Sequence, residues 1–124
     1  MKGEELVTRA EAAAANAYAP YSNYLVGATV VTADGQAYDG VNVENAAYPL
    51  GICAEKTAIA KAASDGVRPG ELEAIGITAA PCGGCRQWLH EWRIGTVYFR
   101  REDGTIAEYR PEGLLPDGWN LPAT

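Results

Sequence analysis

The chain has 124 residues, 48% of them hydrophobic and 21% charged. That size and balance fit one globular domain over residues 1–124 with a core of its own, and they exclude a disordered chain. Ten basic against sixteen acidic residues give a formal charge of −6, which argues against a surface for nucleic-acid backbones or anionic lipid and leaves a small neutral ligand open.

Taken in chain order, Glu4 to Tyr18 reads as an alanine-rich helix. Leu6, Ala10, Ala13, Ala14 and Ala17 fall at helical spacing and Pro20 stops the run. Leu25 to Ala33 is apolar and β-branched and reads as a strand. Asp34-Gly35 is a hairpin signal, and Gln36 to Val43 alternates as the partner strand. Cys53 to Ala63 reads as a buried helix of small residues, ended by Ser64-Asp65-Gly66. Leu72 to Ala79 is a short apolar strand, and Cys85 to Trp92 a further helix. Thr96 to Arg100 and Thr105 to Tyr109 flank Glu102-Asp103-Gly104 as a second hairpin. The tail from Pro111 to Thr124 holds one short helical turn at most. Helices interleaved with strands imply a mixed sheet covered on both faces.

Lys2, Glu4 and Glu5 stand where the apolar run of a secretory leader would be, and no stretch approaches the ~20 apolar residues of a membrane span. Cytoplasm is therefore the expected compartment. There, clustered thiols are more often ligands or reactive groups than bridges. Only one histidine, His90, is present, which excludes any mechanism needing two; His90 itself reads as a surface or helix-end residue.

All three cysteines fall in two short motifs, Cys53-Ala54-Glu55 and Pro81-Cys82-Gly83-Gly84-Cys85. Each sits where a loop or strand feeds a helix N-terminus, whose free N–H groups and partial positive charge favour thiolate. Lys56 adds a positive charge beside them. Three protein ligands with one open vertex is the pattern of a catalytic zinc ion, whereas structural sites use four. Zinc lowers the pKa of water at such a vertex toward about 7. Glu55, two residues from Cys53, can move that water's protons without binding the metal. The alternatives are a structural zinc site, a redox Cys-x-x-Cys pair, and a Glu55 that is only a solvated helix carboxylate. Asn42 and Glu44 alternate on a strand and share a face, either as ligand contacts or as plain exposed polar positions. Tyr21, Tyr24, Trp88 and Trp92 read as core side chains more readily than as a ligand platform, with Tyr24 set apart by its motif.

The residues resemble the small homotetrameric, zinc-dependent cytidine deaminases. The matching text is Tyr18-Ala19-Pro20-Tyr21-Ser22, Val26-Gly27-Ala28, Asp34-Gly35, Gly40 to Tyr48, Cys53-Ala54-Glu55, Pro81 to Gln87, and Leu114-Leu115-Pro116, covering most of the chain in order. The resemblance implies a three-layer α/β/α sandwich with a mixed five-stranded sheet. It also implies hydrolytic deamination of cytidine or deoxycytidine to the uridine form with release of ammonia, an activity of pyrimidine salvage. It further implies one Zn²⁺ per chain on Cys53, Cys82 and Cys85, with Glu55 as the proton carrier and catalytic residue. Asn42 and Glu44 would hold the ribose, Tyr24 would stack near the base, and the backbone of Ala54 would contact it. A neighbouring subunit of a homotetramer would complete each pocket through Ala46, Tyr48 and a C-terminal aromatic, Trp119, which otherwise reads as interface packing. No nucleic-acid or membrane partner is implied.

Three features depart from the pattern. Tyr24 replaces the usual phenylalanine, Lys56 stands where many members carry arginine, and only Thr78, Ala79 and Ala80 lie between Ile77 and Pro81, where a longer loop is usual. Alternative readings are therefore a deaminase of a modified cytosine nucleoside, such as a blasticidin-S-type compound, and a catalytically inactive zinc-binding module of the same fold.

Overall fold

The structure, a computed structural model, describes residues 1–122. The first helix, α1 (Gly3–Ala13), buries Leu6, Val7 and Ala10 and places Glu4 and Glu5 in its first turn, where the helix dipole favours them. The periodicity predicts helix as far as Tyr18, but α1 tightens into a 3₁₀ turn over Ala14–Asn16 and Ala17 is extended. The reason lies outside the helix. The Tyr18 N–H donates to the carbonyl of Asn42 at 3.0 Å, and Tyr18 bridges Val43, so the chain leaves the helix to pair with a distant segment.

Strand β1 (Gly27–Thr32) and strand β2 (Ala37–Val41) form the predicted hairpin, paired from Gly27↔Val41 to Val31↔Ala37. Gly35 sits in the turn at φ +91°, a conformation that L side chains rarely adopt. Strand β3 (Leu72–Ile77) joins the free edge of β1 antiparallel. Strand β4 (Thr96–Arg100) runs parallel to β3, and β5 (Ile106–Tyr109) closes the order β2-β1-β3-β4-β5. Every residue of β1 is buried, as expected of a strand covered on both faces.

α1 covers one face, where Leu6 packs with Val31 and Ala74. The other face carries α2 (Ala54–Ser64), α3 (Gly83–Glu91) and the short α4 (Pro111–Leu114). There Ile59, Leu89 and Leu114 pack with Val30, Ile75, Ile77 and Val97. This is the expected three-layer α/β/α arrangement with a mixed five-stranded sheet. The small residues of α2 have a purpose: Ala54, Ala58 and Ala62 are fully buried, and Gly40 of β2 lies directly under the helix backbone. A Cβ at Gly40 would stand 2.3 Å from the Ala58 nitrogen and 2.5 Å from the Ala54 carbonyl oxygen. The helix rests on the sheet at closer range than any side chain permits.

That seat fixes where the helix begins. The β3–α3–β4 crossover likewise places the start of α3 beyond the carboxyl ends of the parallel pair, where open α/β sheets bind ligands.

Candidate active site

Cys53 is the N-cap of α2 and Cys82 the N-cap of α3. Cys85 lies in the first turn of α3 and is buried. Two helix starts therefore deliver three thiols to one point. The sulfurs lie within 4.8 Å of one another, and Cys53 Sγ is 3.9 Å from Cys82 Sγ. The cysteines are free thiols. Among the described residues, no histidine or carboxylate joins this group as a fourth donor.

The surroundings treat the thiols unequally. Burial pushes Cys53 and, much more strongly, Cys85 upward, and for Cys85 the charges of Glu55 and Cys53 add to the effect. Burial also acts on Cys82, but the N–H groups of Cys85 and Gly84 and contacts with the neighbouring thiols outweigh it and hold Cys82 below the usual thiol range. Three close, partly desolvated soft donors over two helix N-termini fit a thiophilic dication such as zinc. Lys56 Nζ lies 3.9 Å from the point where a Cβ on Gly84 would sit, and Cys82 Sγ lies 4.0 Å from the same point. The lysine thus stands on the α3 side of the cluster as a point charge rather than a fork, and its charge draws the Glu55 carboxyl down against the effect of burial.

Glu55, in the first turn of α2, is only 3% exposed. Its burial lifts its carboxyl above the usual range. It opens onto a cavity of about 340 Å³ that Cys53, Cys82, Ala54, Asn42 and Glu44 also line. Tyr24, Ala79, Ala80, Val43, Gly51 and Ile52 are further lining residues. The volume is that of a small-molecule site.

Asn42 and Glu44 do not alternate on a strand. β2 ends at Val41, and both residues lie beyond it on irregular chain whose backbone pairs with Tyr18. Their side chains also work differently from plain surface positions. Asn42 Oδ1 accepts from the N–H of Val26 at 2.9 Å, and Asn42 Nδ2 donates to the carbonyl of Tyr24 at 2.8 Å. Glu44 Oε1 accepts from the N–H groups of Tyr21 and Ser22, and Oε2 accepts from the Ser22 hydroxyl. These bonds hold the Glu44 carboxyl below its usual range, the Ser22 hydroxyl contributing most. Both residues pin the Tyr21–Val26 loop while keeping acceptor capacity toward the cavity.

Tyr21 and Trp88, read as core, are exposed, and Trp92 packs against the core while only partly buried. Tyr24, set apart by its motif, is 61% exposed and lines the cavity. Tyr48, 78% exposed, lines this chain's own cavity. Ala46 and Trp119 do not line it. Trp119 stands 66% exposed on the outer side of α3, its carbonyl accepting from Gln87 Nε2 at 3.0 Å. His90, in the last turn of α3, faces Asn120 Oδ1 at 3.0 Å.

Comparison with known proteins follows the same lines. Residues 1–101 match the profile of the cytidine and deoxycytidylate deaminase zinc-binding region. The chain belongs to the cytidine and deoxycytidylate deaminase family. It is 40% identical over 128 aligned residues to a cytidine deaminase of Sporosarcina psychrophila, covering 97% of this chain and 93% of that protein. It is 38% identical to a cytidine deaminase of Mycobacterium tuberculosis, with coverage of 88% and 83%. The crystal structure of a cytidine deaminase from Burkholderia pseudomallei superimposes with a TM-score of 0.88 at 42% identity, covering 96% of this chain and all of that one.

Some residues of this deaminase site escape a reading of the sequence. Ser22 stands out as one of two serines and as the end of the Tyr18–Ser22 motif, with nothing to mark a role, yet its hydroxyl bonds Glu44 and accepts the N–H of Tyr24 at 3.0 Å. Val26, Gly51, Ile52, Ala79 and Ala80 line the cavity without any chemically marked side chain. Only the position of Val26 and Ser22 inside quoted motifs could have singled them out.

Proposed function

We propose that the chain, as one domain, catalyses the hydrolytic deamination of cytidine and deoxycytidine at C4, giving the uridine form and ammonia. The observation that carries this reading is the convergence of three thiols beside a buried carboxylate that lines a nucleoside-sized cavity. Cys53, Cys82 and Cys85 would hold one zinc ion, which when bound supplies Lewis-acid activation of water at neutral pH. The work of the chain's own residues follows from their positions.

C4 of cytosine is a poor electrophile until N3 is protonated. Glu55 takes a proton from the attacking water and delivers it to N3, and then carries a proton to the departing amine. The C4–N bond breaks, a carbonyl forms at C4, and water and nucleoside become uridine and ammonia with no other reactant. Such proton transfers are each worth roughly 10²–10⁴ in rate. The first turn of α2 leaves backbone N–H groups without intrahelical partners, and that of Ala54 meets the base carbonyl. Asn42 and Glu44, which line the same cavity, take the ribose hydroxyls, and Tyr24 packs against the base.

The pocket is shared in a homotetramer. Tyr18, Tyr21, Tyr48, Leu50 and Ile52 are exposed apolar side chains, of which Tyr48 and Ile52 line the cavity, and they are the kind of surface a neighbouring copy covers. Ala46, Tyr48 and Trp119 of this chain would then serve a neighbour's pocket. Three reduced thiols as ligands suit the cytoplasm, where the reaction would serve pyrimidine salvage. No described helix is long and apolar enough to cross a membrane.

The test is direct. Purified zinc-loaded protein mixed with cytidine should release one ammonia per uridine formed. No uridine above the buffer control, at one zinc per chain, would overturn the reading.

A further inference from the structure

Glu44 uses most of its hydrogen-bonding capacity inside the chain. An ionised carboxylate offers about four lone-pair positions. Oε1 accepts from the N–H groups of Tyr21 and Ser22 at 3.0 and 3.1 Å, which fills that oxygen. Oε2 accepts from the Ser22 hydroxyl and keeps one position more. The Ser22 hydroxyl is the first cause that holds this carboxyl below its usual range, so Glu44 is an acceptor and not a donor at neutral pH.

Ser22 does more than bond one carboxylate. Its Oγ also accepts the N–H of Tyr24 at 3.0 Å. Asn23 stands between the two at φ +58°, a left-handed conformation that asparagine adopts more readily than most residues, and its own N–H donates to the Ala19 carbonyl at 2.9 Å. The Tyr24 carbonyl in turn accepts from Asn42 Nδ2 at 2.8 Å. A continuous line of bonds therefore runs from Glu44 through Ser22 and Tyr24 to Asn42. Glu44, Tyr24 and Asn42 line the 340 Å³ cavity and Ser22 does not. An exposed serine in a turn thus commits its hydroxyl, as donor and as acceptor, to two residues of the cavity wall.

We propose that Ser22 is a positioning residue for the sugar: its hydroxyl turns the Glu44 carboxylate so that one Oε2 lone pair is left for a single ribose hydroxyl. The inference rests on the reading that Asn42 and Glu44 hold the ribose, and it adds the group that orients them. Without the hydroxyl, Oε2 has no hydrogen-bond donor among the described residues and the carboxylate pivots about Oε1. Tyr24 is still held through its carbonyl by Asn42. The effect falls on affinity for the sugar and not on proton transfer, because Glu55 and the thiols are set by the starts of α2 and α3.

The experiment compares cytidine with 2′,3′-dideoxycytidine, whose sugar carries neither secondary hydroxyl, in wild type, Ser22→Ala and Ser22→Thr. The dideoxy compound is read by its inhibition constant against cytidine turnover. In Ser22→Ala, KM for cytidine should rise about tenfold, the size of one lost hydrogen bond to a charged group, while kcat stays within about threefold. The dideoxy inhibition constant should move by less than about threefold, since no sugar hydroxyl is there to reach Glu44. Threonine keeps the hydroxyl and should leave both values within about threefold of wild type. An unchanged cytidine KM in Ser22→Ala would overturn the proposal. So would a dideoxy constant that weakens as much as KM, which marks a purely structural role, or a threonine variant as impaired as the alanine one. Ser22→Gly is a second variant without the hydroxyl; if neither it nor Ser22→Ala folds, Ser22 is structural and the proposal falls. Wild-type protein that does not turn over cytidine would instead remove the reading beneath, and that failure shows before any variant is compared.

Discussion

Gly40→Ala is the substitution that links packing to chemistry most tightly. The added methyl would meet the Ala58 nitrogen at 2.3 Å, the Ala54 carbonyl oxygen at 2.5 Å and Thr57 Oγ1 at 2.6 Å. Two of these three are helix backbone and cannot rotate away, so α2 must retreat from β2 by roughly 1 Å to restore ordinary contact distances. Overpacking of this kind costs about 1–3 kcal/mol. For a chain of this length that corresponds to a fall in Tm of roughly 4–12 °C. The larger effect is expected on activity. α2 carries Cys53 and Glu55, whereas Cys82 and Cys85 ride on α3. A shift of one helix spreads the thiols and withdraws the carboxylate, and a misplacement of about 1 Å can cost roughly 10²-fold in rate. The assay is thermal unfolding at fixed protein concentration, with cytidine deamination and zinc content measured on the same sample. A variant that melts within about 2 °C of wild type and keeps its kcat would refute the claim that the close helix–sheet seat sets the site.

Further outcomes follow from the same geometry. Glu55→Gln should lower kcat by about 10⁴ or more while zinc content and the melting curve stay near wild type, since the carboxylate moves protons and does not ligate; equal rates would contradict that role. Treatment with a chelator should abolish turnover, and added zinc, but not magnesium, should restore it, as expected of a soft three-thiol donor set. Asn42→Ala frees the Tyr24 carbonyl and the Val26 N–H, so KM for cytidine should rise more than kcat falls, readable from initial-rate kinetics. Asp39 gives a pH prediction. Burial pushes its carboxyl up, but hydrogen bonds from Arg9 and Thr29 and the charges of Arg9 and Lys61 prevail and hold it below the usual range. A depressed carboxylate contributes stability above its unfolded pKa and loses it as pH falls through the folded value. The Tm advantage of wild type over Asp39→Asn should therefore shrink below about pH 4 and be flat above it; an advantage that grows on acidification would contradict the assignment.

The elements that local chemistry specifies were legible in the sequence. The Asp34-Gly35 turn, the small-residue helix after Cys53 and the second cysteine helix all stand where spacing places them. So do the thiol convergence and the carboxylate beside it, because every cysteine falls in one of two helix-start motifs. What failed depends on partners far away in the chain. Nothing near Tyr18 says that its N–H will pair with the Asn42 carbonyl and end the helix early. Nothing near Asn42 and Glu44 says that their side chains will hold the Tyr21–Val26 loop rather than decorate a strand face. Aromatic residues are read as core by default, and Tyr21 defies it because its loop is pinned by polar bonds, not buried. Ala79 and Ala80 line the cavity but carry no chemical signal, since a methyl group has no functional atom to mark it.

The central claim is that Cys53, Cys82 and Cys85 hold one metal ion and leave a vertex for solvent. X-ray absorption at the zinc edge of the purified protein tests it most directly. The account predicts one zinc per chain with three sulfur neighbours at about 2.3 Å and one lighter oxygen neighbour at about 2.0–2.2 Å. A fourth sulfur or a histidine nitrogen in the shell, or protein free of zinc that still deaminates cytidine, would contradict it.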